Sequence, residues 1–198
     1  MQSVIKNYFT ESIQAQIVMT EALSGPIEQA ASTIINALLN GNKVLTCGNS
    51  LSAASAQMFT AQLVSGIDIE RPNLPAIALV ADNILISSIA NHYNQLHDIY
   101  AKQIQALGNQ GDVLVVLSPN GNEKSIIQAV QDAVIKDLSI ITLTGGDGGA
   151  VIGLLGQNDI DIRIPSYKER TISEMQLIVL NCLCQLIENT LFIHKEIN

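Results

Sequence analysis

Apolar residues along this chain fall into two alternating kinds of run, one with helical spacing and one continuous. Residues 3–22 carry apolar groups about one helical turn apart (Val4, Tyr8, Ile13, Ile17, Ala22), which predicts an amphipathic helix. Ser24-Gly25-Pro26 interrupts the pattern, and a second helix is expected from there to about Leu39, with Gly41 ending it. Five short apolar runs follow: Lys43–Cys47, Pro75–Val80, Asp112–Leu117, Leu138–Leu143 and Ile160–Ile164. Between them, helical spacing returns over about 50–65, 83–106 and 122–137, briefly near 150–155, and in a last long helix over about 169–193.

Because the short runs are continuous, their strands must be covered on both faces, as parallel sheets require. The expected fold is α/β, a three-layer αβα sandwich around a five-stranded parallel sheet. A length of 198 residues with 47% hydrophobic content suffices for one large core without disulfides. No fixed-period repeat, low-complexity tract or long linker divides the chain.

Two strand ends echo each other. VLTCGNS and VVLSPNGN both leave an apolar run through a polar, glycine-containing turn into a helix. In doubly wound sheets the crevice beyond the carboxyl ends of the strands is the usual ligand site, so the two turns are expected to share a pocket. Free N–H groups at a helix start attract anions, and nearby hydroxyls add donors. Asn49, Ser50 and Ser52 suit that role in the first turn, Ser118 and Asn120 in the second; local sequence alone fits ordinary helix capping as well.

Charge narrows the partners. Ten basic residues against eighteen acidic ones give a net charge of −8 with no basic run, which argues against direct nucleic-acid binding. Cys47, Cys182 and Cys184 form no CxxC pair and have no histidine at metal-ligand spacing, so they read as reduced, buried thiols. The start MQSVIKNYF lacks a long apolar core, and neither a signal peptide nor a membrane anchor is expected. The chain reads as a soluble, cytoplasmic protein.

The order CGNSLS, LSPNGN, IITLTGGDGG and finally ISEMQLIVLNCLCQLIEN, with ERPNLPAIAL between the first two, resembles the sugar isomerase (SIS) domain family over nearly the whole chain. Within it, the chain is similar to the phosphoheptose isomerases and to their non-enzymatic relatives, the DnaA initiator-associating proteins. The resemblance implies a flavodoxin-like strand order, a helical oligomerisation segment over 1–33 and the SIS domain over 34–198.

For the isomerases, the resemblance implies zinc and an acid/base pair. Its histidine and, four residues later, its glutamate correspond to Met58 and Gln62; its glutamine and, eight residues later, its histidine correspond to Ser173 and Asn181. A thioether, two amides and a hydroxyl are poor zinc ligands, so no metal and no cofactor are expected. The family's aspartate before that glutamine aligns with Arg170, and another falls near His92. His92, His97 and His194 read as solvated. In the second turn Pro119 removes a donor and Glu123 brings a carboxylate to the helix start, where it could satisfy the terminus itself; Leu51 crowds the first turn. The pocket is read as vestigial, holding a phosphosugar or other anion weakly or not at all.

The initiator-associating branch implies instead a homotetramer that binds the replication initiator DnaA and promotes its assembly at the origin. There the first helix packs between subunits, and a Leu-Phe pair late in the last helix is implicated in contacting DnaA. Leu191 and Phe192 match that pair, as exposed anchors or as residues docked on a neighbouring subunit. Two other readings stay open: a phosphosugar-binding regulatory protein and a phosphoheptose isomerase.

Overall fold

The computed structural model describes residues 1–67, 69–93 and 96–192. Helix α1 (Gln2–Leu39) leads into β1 (Val44–Gly48), α2 (Leu51–Ser65) and β2 (Ala76–Ala78). Next come α3 (Asn83–Tyr93), a 3₁₀ turn (Leu96–Asp98), α4 (Ala101–Leu107), β3 (Val113–Leu117) and α5 (Lys124–Ile135). The chain continues through β4 (Ser139–Gly145), a second 3₁₀ turn (Ala150–Leu154), β5 (Ile160–Ile164) and α6 (Glu169–Leu191).

All five strands are parallel, in the order β2-β1-β3-β4-β5, as the flavodoxin-like expectation had it. Side chains alternate between faces along each strand, and both faces are covered. Val113, Val115 and Leu117 join α1, α2 and α6 in one apolar layer, whereas Leu114 and Val116 join Ile104 of α4 and Ile126 of α5 in the other. This double coverage is why the inner strands read as unbroken apolar runs. Edge strand β5 alternates instead, with Asp161 and Arg163 paired at 2.5 Å on its half-exposed side.

Two expected boundaries differ. The two-helix reading broken at Ser24-Gly25-Pro26 is corrected: α1 runs unbroken through Pro26 and through residue 33. An internal proline costs about 3 kcal/mol, but Met19 and Leu23 before it and Ala30, Ala31 and Ile34 after it bury in one core, and an unbroken helix preserves that contact. The single helix expected over 83–106 is divided into α3, a 3₁₀ turn and α4. The division buries Tyr100 against the end of β1 and lets Gln103 Nε2 donate to the Leu79 carbonyl at 2.8 Å.

The amino ends of β1 and β3 are fastened by Asp112, which is almost fully buried. Its carboxylate accepts the Lys43 ammonium at 2.5 Å and the backbone N–H groups of Lys43 (3.0 Å) and Asn109 (2.8 Å). Burial pushes its pKa up, but the hydrogen bonds from Lys43 outweigh that and hold it below the usual carboxylate value.

Candidate functional site

β1 and β3 are neighbours from which the chain departs in opposite directions, so the turns after them flank the switch point of the sheet. In the first turn, a Cβ on Gly48 would lie 2.8 Å from the Ser52 carbonyl, so only glycine permits this tight exit. Ser50 is held at φ 53°, a region serine rarely adopts. Asn49 bridges the two turns: its Nδ2 donates to Ser125 Oγ (2.9 Å) at the start of α5, and its Oδ1 accepts from Tyr100 Oη (3.0 Å). Tyr100 also donates to the Gly48 carbonyl at 2.6 Å. Burial, with Cys47 and the Glu123 carboxylate adding, pushes its pKa well up and keeps it a donor. Ser52 is buried and donates to Gln176 Oε1 (3.3 Å), whose Nε2 in turn donates to the Leu143 carbonyl (2.7 Å).

The second turn is closed in the same way. The fully buried Ser118 hydroxyl donates to the Glu123 carboxylate and accepts the Gly121 N–H at 2.8 Å. Glu123 therefore engages Ser118; as the residue preceding α5 it makes no side-chain cap, nor does Ser50 before α2. Asn120 turns on itself, its Oδ1 accepting the Asn122 N–H at 2.9 Å. Gly121 packs on the Asp147-Gly148-Gly149 turn so closely that a Cβ there would lie 1.9 Å from the Gly148 carbonyl. Asn49, Ser52 and Ser118 thus converge around the switch point, each already bonded within the chain, whereas Ser50 and Asn120 are exposed at its rim.

Of the four positions aligned with the isomerase metal site, three meet. Met58 and Gln62 on α2 and Asn181 on α6 line one cleft of about 640 Å³, and Gln62 Nε2 donates to Asn181 Oδ1 at 2.9 Å. Ser173 lies eight residues before Asn181 on α6, about 12 Å along the axis, and is half-buried outside that cleft. Two amides bonded to each other beside a thioether do not fit zinc. Among the described residues no group of three or more His, Cys, Asp or Glu could hold a metal ion. Arg170 is exposed in the first turn of α6 and His92 is exposed on α3; His97 Nε2 lies 3.9 Å from Asp98; His194 falls outside the described residues.

Leu191 and Phe192 close α6. Rather than standing free, both are half-buried against the core, and the Phe192 ring lies under the Arg71 guanidinium, 5.6 Å from its carbon. Cys47 and Cys184 are buried, which pushes both thiols up to about 12; Cys182 is exposed, correcting the expectation that all three are buried. Sequence reasoning missed Tyr100, Ser125, Gln176 and Arg71. Tyr100 had one signal, since a buried tyrosine needs a hydroxyl partner; the others bond across elements far apart in sequence.

The SIS domain family model matches residues 7–145. The DnaA initiator-associating protein DiaA of Escherichia coli O1:K1 / APEC is 52% identical over 198 residues, covering 100% of both chains. Among solved structures, a phosphoheptose isomerase from Francisella tularensis aligns at TM-score 0.92 with 41% identity, over 95% of this chain and 98% of that one. The phosphoheptose isomerase of Neisseria gonorrhoeae aligns at TM-score 0.90 with 34% identity, again over 95% and 98%. Five parallel strands in this order, two glycine-bound turns at the switch point and these matches together make the chain a member of the SIS domain family.

Proposed function

We propose that this protein is a non-enzymatic, cytoplasmic adaptor that binds the replication initiator DnaA as a homotetramer and promotes its assembly at the origin. The observation that carries the reading is the full-length 52% identity to proteins named as DnaA initiator-associating. Two places support it: in the crevice Ser118 is engaged by the chain's own Glu123, and in the cleft between α2 and α6 Gln62 is hydrogen-bonded to Asn181 where the resemblance would place metal ligands.

The first part of α1, within the proposed oligomerisation segment 1–33, supports assembly. Val4, Phe9, Ile13 and Ile17 are each more than half exposed, and Gln16, Met19 and Thr20 of the same helix line a cleft with Ile178 and Cys182 of α6. Several copies of one site on a rigid scaffold raise the local concentration of bound initiator without chemistry. With a net charge of −8, the scaffold would touch the initiator and leave DNA to it. Leu191 and Phe192 are the proposed contact.

The competing isomerase reading draws on the two enzymes that share the fold at 41% and 34% identity. A binding assay on immobilised DnaA, with mass in solution measured alongside, separates the two. The adaptor binds saturably as a tetramer, and Leu191→Ala with Phe192→Ala weakens binding at least about tenfold, the size of a hot-spot loss. Equal binding by the double variant would remove the proposed contact, and zinc-dependent turnover of a heptose phosphate would remove the adaptor reading.

A further inference from the structure

The segment leading into β2 contains Arg71, whose side chain is 1% exposed although it is charged. Burying a guanidinium is costly unless its donors are met, and here they are. Nε donates to Glu188 Oε1 on α6 (2.8 Å), Nη1 to the carbonyls of Leu63 and Pro72 (both 3.0 Å), and Nη2 to the Gln62 carbonyl (2.7 Å). The Gln62 and Leu63 carbonyls belong to the last turn of α2, where a cation is favoured by the helix dipole. One planar group therefore fixes the end of α2, the approach to β2 and the last turn of α6. The face of that group carries the Phe192 ring.

We propose that Arg71 is a positioning residue for partner recognition, holding Phe192 at the tip of α6 in the orientation the initiator reads. The inference rests on the reading of Leu191 and Phe192 as the DnaA contact. The Phe192 N–H still donates to the Glu188 carbonyl at 2.9 Å, so backbone and ring are fixed at once, by the helix and by the cation. Without the guanidinium, the ring at a helix end would sample several rotamers, and a partner would have to bear the entropy of ordering it. Lysine could supply the charge but not the fork that reaches Glu188 and the α2 carbonyls together.

The test is a double-mutant cycle read by DnaA affinity, using the full chain with Arg71→Met, Phe192→Leu and both. Arg71→Met is expected to weaken binding about fivefold to tenfold, the range of a desolvated cation–π contact, yet to change it less than about twofold in the Phe192→Leu background. Equal losses in both backgrounds would mean that Arg71 acts through the fold alone and would overturn the proposal, as would unchanged or tighter binding by Arg71→Met. Should Arg71→Met fail to fold, cyclohexylalanine at 192 keeps the apolar volume and removes the π face. It is expected to weaken binding by the same factor, and unchanged affinity would overturn the proposal.

Fluorine NMR of protein labelled with 4-fluorophenylalanine separates this inference from the contact on which it rests. Arg71→Met should shift and narrow the Phe192 signal while leaving that of the buried Phe59; an unmoved Phe192 signal overturns the positioning role whatever DnaA does. If that signal moves but Phe192→Leu binds DnaA like wild type, the contact itself is wrong, and Arg71 positions the ring without serving recognition.

Discussion

The crevice at the carboxyl ends of β1 and β3 and the first half of α1 treat exposed chemistry in opposite ways. In the crevice, Ser52 and Ser118 are almost inaccessible and each is bonded to another group of the chain. Along α1, Val4 at 70% and Phe9 at 65% exposure leave most of their apolar surface open to solvent. A ligand entering the crevice would first have to break internal hydrogen bonds, each worth about 1 kcal/mol net. A surface that covered α1 would gain about 25 cal/mol for each Å² of apolar area removed from water. The difference locates the capacity for new interactions on the outside of the molecule.

The largest expected effect comes from spoiling the outside. Ile13→Asp with Ile17→Asp places two charges in the apolar stripe, and should convert the proposed tetramer to smaller species in light scattering while the circular dichroism of the SIS fold persists. An unchanged mass would rule out the α1 stripe as a surface of assembly.

Next in size is a change remote from both regions, which calibrates them. Asp112→Asn leaves the Lys43 ammonium without its buried anion and should cost about 3 kcal/mol in urea unfolding. Because the Asp112 pKa is lowered in the fold, its contribution is complete above about pH 4 and disappears as pH falls through the depressed folded value. The variant should therefore show a shallower loss of stability on acidification than wild type; a parallel loss would mean that the carboxylate is not the group titrating.

A smaller effect is expected inside the crevice. Glu123→Ala removes the acceptor of the Ser118 hydroxyl and should cost about 1 kcal/mol, with DnaA binding unchanged; weakened DnaA binding would show that the crevice is coupled to the proposed contact at the end of α6. The smallest concerns Cys182, which lines a cleft with Gln16 and Met19 of α1. Burial raises Cys47 and Cys184 to about 12, so a thiol reagent at pH 8 should label neither quickly. In the proposed tetramer Cys182 should react slowly, and faster after the α1 substitutions. Equal rates would place the subunit interface elsewhere.

The sheet was legible in the sequence because β1, β3 and β4 are inner strands whose faces both bury, leaving VLTC, VLVVL and IITL as runs without alternation. The two turns were legible because Gly48 and Gly121 occupy positions where a Cβ has no room. The continuity of α1 was hidden, since Pro26 signals a break locally while the reason to continue, burial of Met19 and Ala30 in one core, is tertiary. Hidden for the same reason were the bonds that close the crevice: Asn49 with Ser125 and Ser52 with Gln176 join residues 76 and 124 positions apart. Glu123 was legible as a carboxylate at a helix start, but its choice of the Ser118 hydroxyl over the helix N–H groups depends on how the turn folds back.

The crevice is satisfied from within, and on the proposed reading recognition occurs at the surface. Paired calorimetric titrations of the wild-type protein test it most directly, one with DnaA and one with sedoheptulose 7-phosphate. Saturable heat is expected with DnaA and none above dilution with the sugar phosphate. Tight saturable binding of the sugar phosphate, with no heat from DnaA, would contradict that reading.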